Sequence, residues 1–279
     1  MLTSRFLRLV LWHCLAGLAI VVLPMMAAGQ GRAAARDRHE LNLSYVITIA
    51  GMRIGGISVG GTFADSGYAI ALRGSAGGIT RRMADTSAWM AANGTIRGAV
   101  VLPDRFEFGM QEDGVSVEAQ MRLADGGVTD LHVVPGLQAG LDIVPLTIDH
   151  VQGVVDPMSA FFAPFEDGSL ITGEDVCSRT LPIFDGRQRY DLSMVYRHTE
   201  TLSGARAPYS GPAFTCEAVY LPIAGHSLTR SAVPFMSGNM RFEAQLIPIT
   251  ELGVAIPFRL QISTEIGDLI IRLDRIEVR

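Results

Sequence analysis

The chain has 279 residues, of which 48% are hydrophobic and 18% charged, and its formal net charge is -5. A sequence this apolar can bury enough surface to offset its ordering entropy, so disorder is excluded, and an acidic balance excludes the concentrated basic face of a nucleic-acid binder. All 23 cationic residues are arginine; without lysine, Schiff-base chemistry, pyridoxal-phosphate anchoring, P-loop nucleotide binding and serine/lysine dyads are excluded too.

Residues 1–29 read as a secretory signal peptide. Arg5 and Arg8 form the positive start, Leu9 to Leu23 is apolar apart from His13, and Ala27-Ala28-Gly29 offers a cleavage site. Ala33-Ala34-Ala35 is a second choice. A transmembrane anchor is the alternative, but an apolar core of about 15 residues is short of the roughly 20 needed to span. Cys14 follows Leu11-Trp12-His13, too bulky for a lipoprotein cleavage site, and is expected to leave with the signal. Cutting after Ala35 removes three arginines and no acid, leaving 20 positive against 28 negative residues and a charge of -8. Residues 30–40 read as a polar leader.

From Leu41 onward the pattern is that of strands. Leu41, Leu43, Tyr45, Ile47 and Ile49 alternate with period 2, as do Val115 to Leu123 and Tyr190 to Tyr196. Asn93-Gly94, Asp113-Gly114, Asp125-Gly126 and Asp185-Gly186 are expected turn dipeptides. Residues 135–176, richer in Pro, Gly and Asp, read as a long excursion between two groups of strands. Within it Asp156-Pro157 is a helix start that Pro164 ends quickly, predicting one or two turns whose Phe161 and Phe162 are core. The expected architecture for 41–279 is a single all-β domain: one antiparallel, strongly curved sheet, a half-open barrel or β-spiral, with one or two short helices. A membrane-spanning barrel is disfavoured because 7% aromatics leave little for two interfacial girdles.

Once the signal is gone, Cys177 and Cys216 remain, and an even pair in an exported chain predicts a disulfide. A loop of about 40 residues closed this way contributes about 4 kcal/mol on the chain-entropy model. It would staple the strands flanking the Asp185-Gly186 hairpin. Two cysteines without clustered histidines fall short of a zinc site, so no metal is expected.

Gly56-Ile57-Ser58-Val59-Gly60 matches the G-x-S-x-G nucleophile elbow, with His150 or His198 as possible bases. The elbow needs a strand-to-helix turn; Gly61-Thr62-Phe63 continues as strand, so a glycine-softened strand is the better reading. Gly225-His226-Ser227 lacks the closing glycine and reads as a strand tip with a solvent-facing His226. Asp142, Asp149 and Asp156 read as solvated turn residues. No catalytic set and no cofactor or nucleotide motif is found, and a non-enzymatic protein is expected.

The segment Asp185 to Leu192 carries the most information. Arg187 and Arg189 are expected on one strand face, where Asp185 or Asp191 could pair with them. Arg187, Arg189, Tyr190, Asp185 and Asp191 form a candidate recognition surface for an anionic component, since guanidinium forks suit carboxylate or phosphate.

These residues also carry a resemblance. Ile54-Gly55-Gly56-Ile57, Asp156-Pro157, Phe184-Asp185-Gly186-Arg187 with Arg189-Tyr190-Asp191-Leu192, Tyr209-Ser210-Gly211 before Cys216, and Pro222-Ile223-Ala224-Gly225 together resemble a bacterial exported family, domain of unknown function 3108. The resemblance implies a periplasmic protein of a Gram-negative envelope and supplies no activity, cofactor or catalytic residue. By analogy of plan alone, it suggests curved-sheet proteins of the periplasm, some of which handle lipoprotein or envelope integrity. The expected function is that of a binding or structural factor for an apolar or anionic envelope component, a lipid or lipoprotein among them, with no membrane-spanning segment after signal removal. Its concave face should include Tyr45, Ile47, Tyr190 and Met194. A serine hydrolase working through Ser58 is the rival.

Overall fold

A computed structural model of the protein describes residues 38–77, 87–112, 115–137, 142–166, 171–204, 207–228, 242–264 and 267–279. The chain divides after Ala35, and the signal segment and the Asp113-Gly114 pair lie outside the described residues. The alternating segments form the strands β1 (Arg38–Ile49), β2 (Met52–Ala64), β3 (Gly67–Ala76), β4 (Ser87–Arg97), β5 (Val100–Glu112), β6 (Val115–Ala124) and β7 (Gly127–Val134). After the excursion come β8 (Ala163–Pro164), the helix α1 (Gly173–Cys177), β9 (Arg179–Phe184), β10 (Arg189–Leu202), β11 (Gly211–Ala224), β12 (Phe242–Ile249), β13 (Val254–Thr264) and β14 (Gly267–Val278).

The fold is all-β and consists of one antiparallel 14-stranded sheet in the order β7-β6-β5-β4-β3-β2-β1-β14-β13-β12-β11-β10-β9, with β8 paired to β13. Strands run down one half and up the other, and β1 joins the halves by pairing with β14 from Leu41↔Val278 to Ile49↔Leu269. Period 2 decides the faces: Leu41, Leu43 and Tyr45 are buried while Glu40 and Asn42 are exposed. The same parity buries Ala119, Met121 and Leu123 and turns Gln120 and Arg122 outward. In these two strands the apolar face is inward and the polar face outward, the reverse of a transmembrane barrel's pattern, whereas β10 and β11 also expose Val195, Val219, Leu221 and Ile223. Among the described residues no helix is long and apolar enough to cross a membrane.

The sheet does not close. Its edge strands β7 and β9 are instead bridged by the excursion, which caps unpaired backbone that would otherwise template association. Gln152 pairs with Gly127 at the start of β7, and Val155 forms a parallel bridge with Ile183 of β9. Val154 N donates to Gly126 O at 3.0 Å, Val155 N to Pro182 O at 2.9 Å, and Phe184 N to Val155 O at 3.0 Å. The turn after β9 rests on the other half of the sheet: a Cβ on Gly186 would lie 2.8 Å from that of Ala119.

Three local expectations are corrected. The polar leader is shorter than expected, because Arg38, His39 and Glu40 already pair with Ala64, Phe63 and Thr62; exposed edge positions carry polar residues without leaving the strand. Asn93-Gly94 is not a turn but a bulge inside β4, where the register against β5 shifts. A Cβ on Gly94 would stand 2.2 Å from Leu102 O, so the glycine answers a close backbone approach, and the turn falls at Gly98 instead. The disulfide ties α1 to β11, not one strand to another, because residues 173–177 are helical behind the Thr172 cap. The Asp156-Pro157 start does give the short turn expected of it, a 3-10 helix over Ser159–Phe161. Asp125-Gly126, with φ of 54° and 76°, is the tight turn expected of it.

Candidate functional site

Beneath the concave side of β9–β13 runs an apolar groove of about 500 Å³. Inward residues of five strands supply its wall: Leu181 and Ile183 from β9, Tyr190, Leu192 and Met194 from β10, Tyr220 from β11, Phe242 and Leu246 from β12, Leu260 and Ile262 from β13. Alternate positions face inward in each strand, so a run of alternating apolar residues becomes one continuous surface once strands lie side by side.

The floor is the 3-10 segment. Pro157, Ala160, Phe161 and Phe162 line the groove from below. Phe162 is wedged edge-on between Phe63 at 5.6 Å and Tyr68 at 5.0 Å, and Phe161 meets Tyr45 at 6.1 Å. Phe162 is therefore core, as expected, while Phe161 is half-buried and packed against that core, and both form groove surface. Tyr45 is fixed by its hydroxyl, which donates to Pro257 O at 2.7 Å, and burial raises its phenol pKa. Asp156, expected to be solvated, is fully buried. It accepts from Met158 N and Ser159 N at 2.9 Å each and from the Ser159 hydroxyl, which meets Tyr68 Oη at 2.5 Å. A carboxylate satisfying the open end of a helical turn from inside the core explains this burial.

The five residues of the candidate recognition surface do not share a face. Arg189 and Asp191 pair with each other at 2.6 Å, with side chains only 12% and 25% exposed. Tyr190, between them, points the opposite way into the groove. Arg187 precedes β10, so it does not share a strand face with Arg189; its Nη2 donates to Pro135 O at 2.5 Å. Asp185 accepts from Arg187 N at 2.8 Å and Gln188 N at 2.7 Å while lining the groove's end. Burial raises its pKa, with those two backbone bonds opposing. Of the concavity residues expected from sequence, Tyr190 and Met194 line the groove, Tyr45 stands behind its floor, and Ile47 is not among the lining.

Cys177 and Cys216 are bonded, with Cα atoms 5.3 Å apart. The bond backs the groove by holding α1 against β11. Ser58 lies in the middle of β2, exposed, between Ser44 and Arg73 of the flanking strands. The strand continues to Ala64, so the strand-to-helix turn of a nucleophile elbow is not formed there. His150 is held by Thr147, and His198 is exposed opposite Thr215. His226 is buried, contrary to expectation, because the 225–228 tip is covered by residues 142–144: Val144 N donates to His226 O and Leu228 N to Asp142 O. Asp142 accepts from Ser227 Oγ at 2.9 Å, so it too is not simply a solvated turn residue. Among the described residues no cluster could hold a metal ion.

Sequence reading missed Arg179. The side chain lines the groove at the start of β9, in the same inward row as Leu181 and Ile183. The signal was a cation at the head of an apolar period-2 row.

Fold and groove together define an open antiparallel barrel with an apolar concavity. The chain belongs to the family described as "Protein of unknown function (DUF3108)", whose model matches residues 44–274. No curated protein matches it. Among solved structures it is similar to a beta-barrel-like protein of domain of unknown function DUF1849 from Brucella abortus, at 11% identity and a TM-score of 0.47, covering 87% of this chain and 98% of that one.

Proposed function

We propose that the protein is a non-enzymatic binding factor of the cell envelope, exported to the periplasm, whose groove takes an apolar chain. The observation that carries this reading is the groove itself: about 500 Å³, walled by leucine, isoleucine, methionine and aromatic side chains and floored by an ordered 3-10 turn. Its volume falls within the ~300–1,000 Å³ of small-molecule sites. The Cys177–Cys216 bond and the signal-like residues 1–29 support export.

The test uses N-phenyl-1-naphthylamine, a neutral apolar fluorophore, with the exported protein. Saturable enhancement is expected, and Leu192→Trp, which fills the groove at mid-wall, is expected to weaken binding by roughly tenfold or more. An unchanged Tm would show that the variant folds. Absence of enhancement with the unmodified protein, or equal affinity in a folded Leu192→Trp variant, would overturn the reading.

A further inference from the structure

The groove is apolar along its length but not at its ends. Among its described lining residues Arg179 is the only cation and Asp185 the only acid. Arg179 opens β9 and Asp185 follows Phe184 at its far end. Five residue steps along the strand lead from Arg179 to Phe184, roughly 17 Å at about 3.3 Å per residue. Between them the wall is Leu181, Ile183 and, from the paired strand, Leu192.

The two ends are satisfied differently. Asp185 already accepts two backbone N–H bonds. Arg179 faces no carboxylate among the described residues, and its one hydrogen bond runs from Nη2 to Asp175 O at 3.0 Å. That leaves most of a five-donor guanidinium without a protein acceptor. Part-burial lowers its pKa, while the guanidinium atoms without a protein acceptor are not sealed from water and are open to an acceptor on a ligand. A carboxylate accepts a guanidinium edge bidentately. A single cation matches a single negative charge, and Asp185 at the opposite end repels an anion entering head-first.

We infer that the groove is a site for a long-chain carboxylate, a fatty-acid-like amphiphile, with the head on Arg179 and the tail running along Leu181, Leu192 and Ile183 towards Tyr190. This rests on the groove reading above and adds both the charge and the direction of the occupant. Tyr190 closes the tail end with its ring 5.0 Å from that of Tyr220.

The experiment compares tetradecanoate with tetradecanol at pH 8 as displacers of N-phenyl-1-naphthylamine, in the unmodified protein and in Arg179→Gln and Arg179→Lys variants. The acid is expected to displace the probe at least roughly tenfold more effectively than the alcohol. Arg179→Gln is expected to abolish that preference, with the alcohol still displacing the probe, and Arg179→Lys to retain part of it. Displacement by the alcohol in the variant, with an unchanged Tm, also shows that the groove survives loss of the Asp175 contact. If acid and alcohol compete equally, or if Arg179→Gln keeps the preference, the head-group assignment fails and the apolar groove stands. If neither competes with a bound probe, the acyl occupant fails. If the probe itself does not bind, both readings fall.

Discussion

At the scale of single residues, Asp156 is where charge and packing are most tightly coupled. Its carboxyl is fully buried, and burial pushes its pKa from 3.8 to about 6, against the pull of the Ser159 and Met158 hydrogen bonds. Between roughly pH 4 and 6 the folded state then holds a proton that the unfolded chain has released. The stability this supplies is complete below pH 4 and is lost as pH rises through about 6; the swing is about 2–3 kcal/mol. Urea midpoints measured from pH 4 to 7.5 are expected to fall across that window, and Asp156→Asn to flatten the fall. A midpoint that rises over the same range would contradict the assignment. The Asp-Pro pair was legible as a helix start, because an acceptor before a proline satisfies open N–H groups in any context. Its burial was not legible, since the Tyr68 hydroxyl that meets its partner Ser159 lies 91 residues before that serine.

At the scale of elements, α1 depends on its attachments. Five residues are too few for a helix to persist by its own hydrogen bonds. Thr172 caps it, its hydroxyl accepting from Asp175 N, and Thr172 N in turn donates to Asp175 Oδ2 at 2.9 Å. Gly173 lets it dock: a Cβ there would stand 2.0 Å from the Tyr196 ring. The Cys177–Cys216 bond completes the attachment. Replacing both cysteines by serine is expected to cost about 2–4 kcal/mol. Hydrogen exchange should accelerate at α1 and the facing part of β11 before it does in β1–β3; uniform acceleration would show that the bond acts on the whole sheet rather than on the helix. The pairing was readable from the cysteine count. That the partner of β11 is a helix was not, because residues 173–177 carry no 3.6-residue apolar period long enough to register.

At the scale of the molecule, the open seam is the feature most exposed to failure. Strands β7 and β9 would each present unpaired backbone if residues 152–155 did not lie between them. Val155→Pro removes the N–H that reaches Pro182 O. The expected cost is about 3 kcal/mol or less, within the range of backbone-disrupting changes, with concentration-dependent association on mild heating measured by light scattering. A variant that shows no such association up to an unchanged Tm would show that the bridge does not guard the edge.

The period-2 alternation from Leu41, the turn pairs at Asp125 and Asp185, and the even cysteines determined by themselves that the chain forms an antiparallel, curved β-sheet with one disulfide. Those are local properties: side-chain parity follows from strand geometry, and positive φ from the turn residues. Tertiary structure alone decided that Arg189 and Asp191 face away from Tyr190's groove and neutralise each other, that Asp156 is core, and that Arg179 heads an apolar row. Each depends on which strands lie side by side, and pairs as distant as Leu41 and Val278 are set by the β1–β14 pairing that joins the two halves of the sheet.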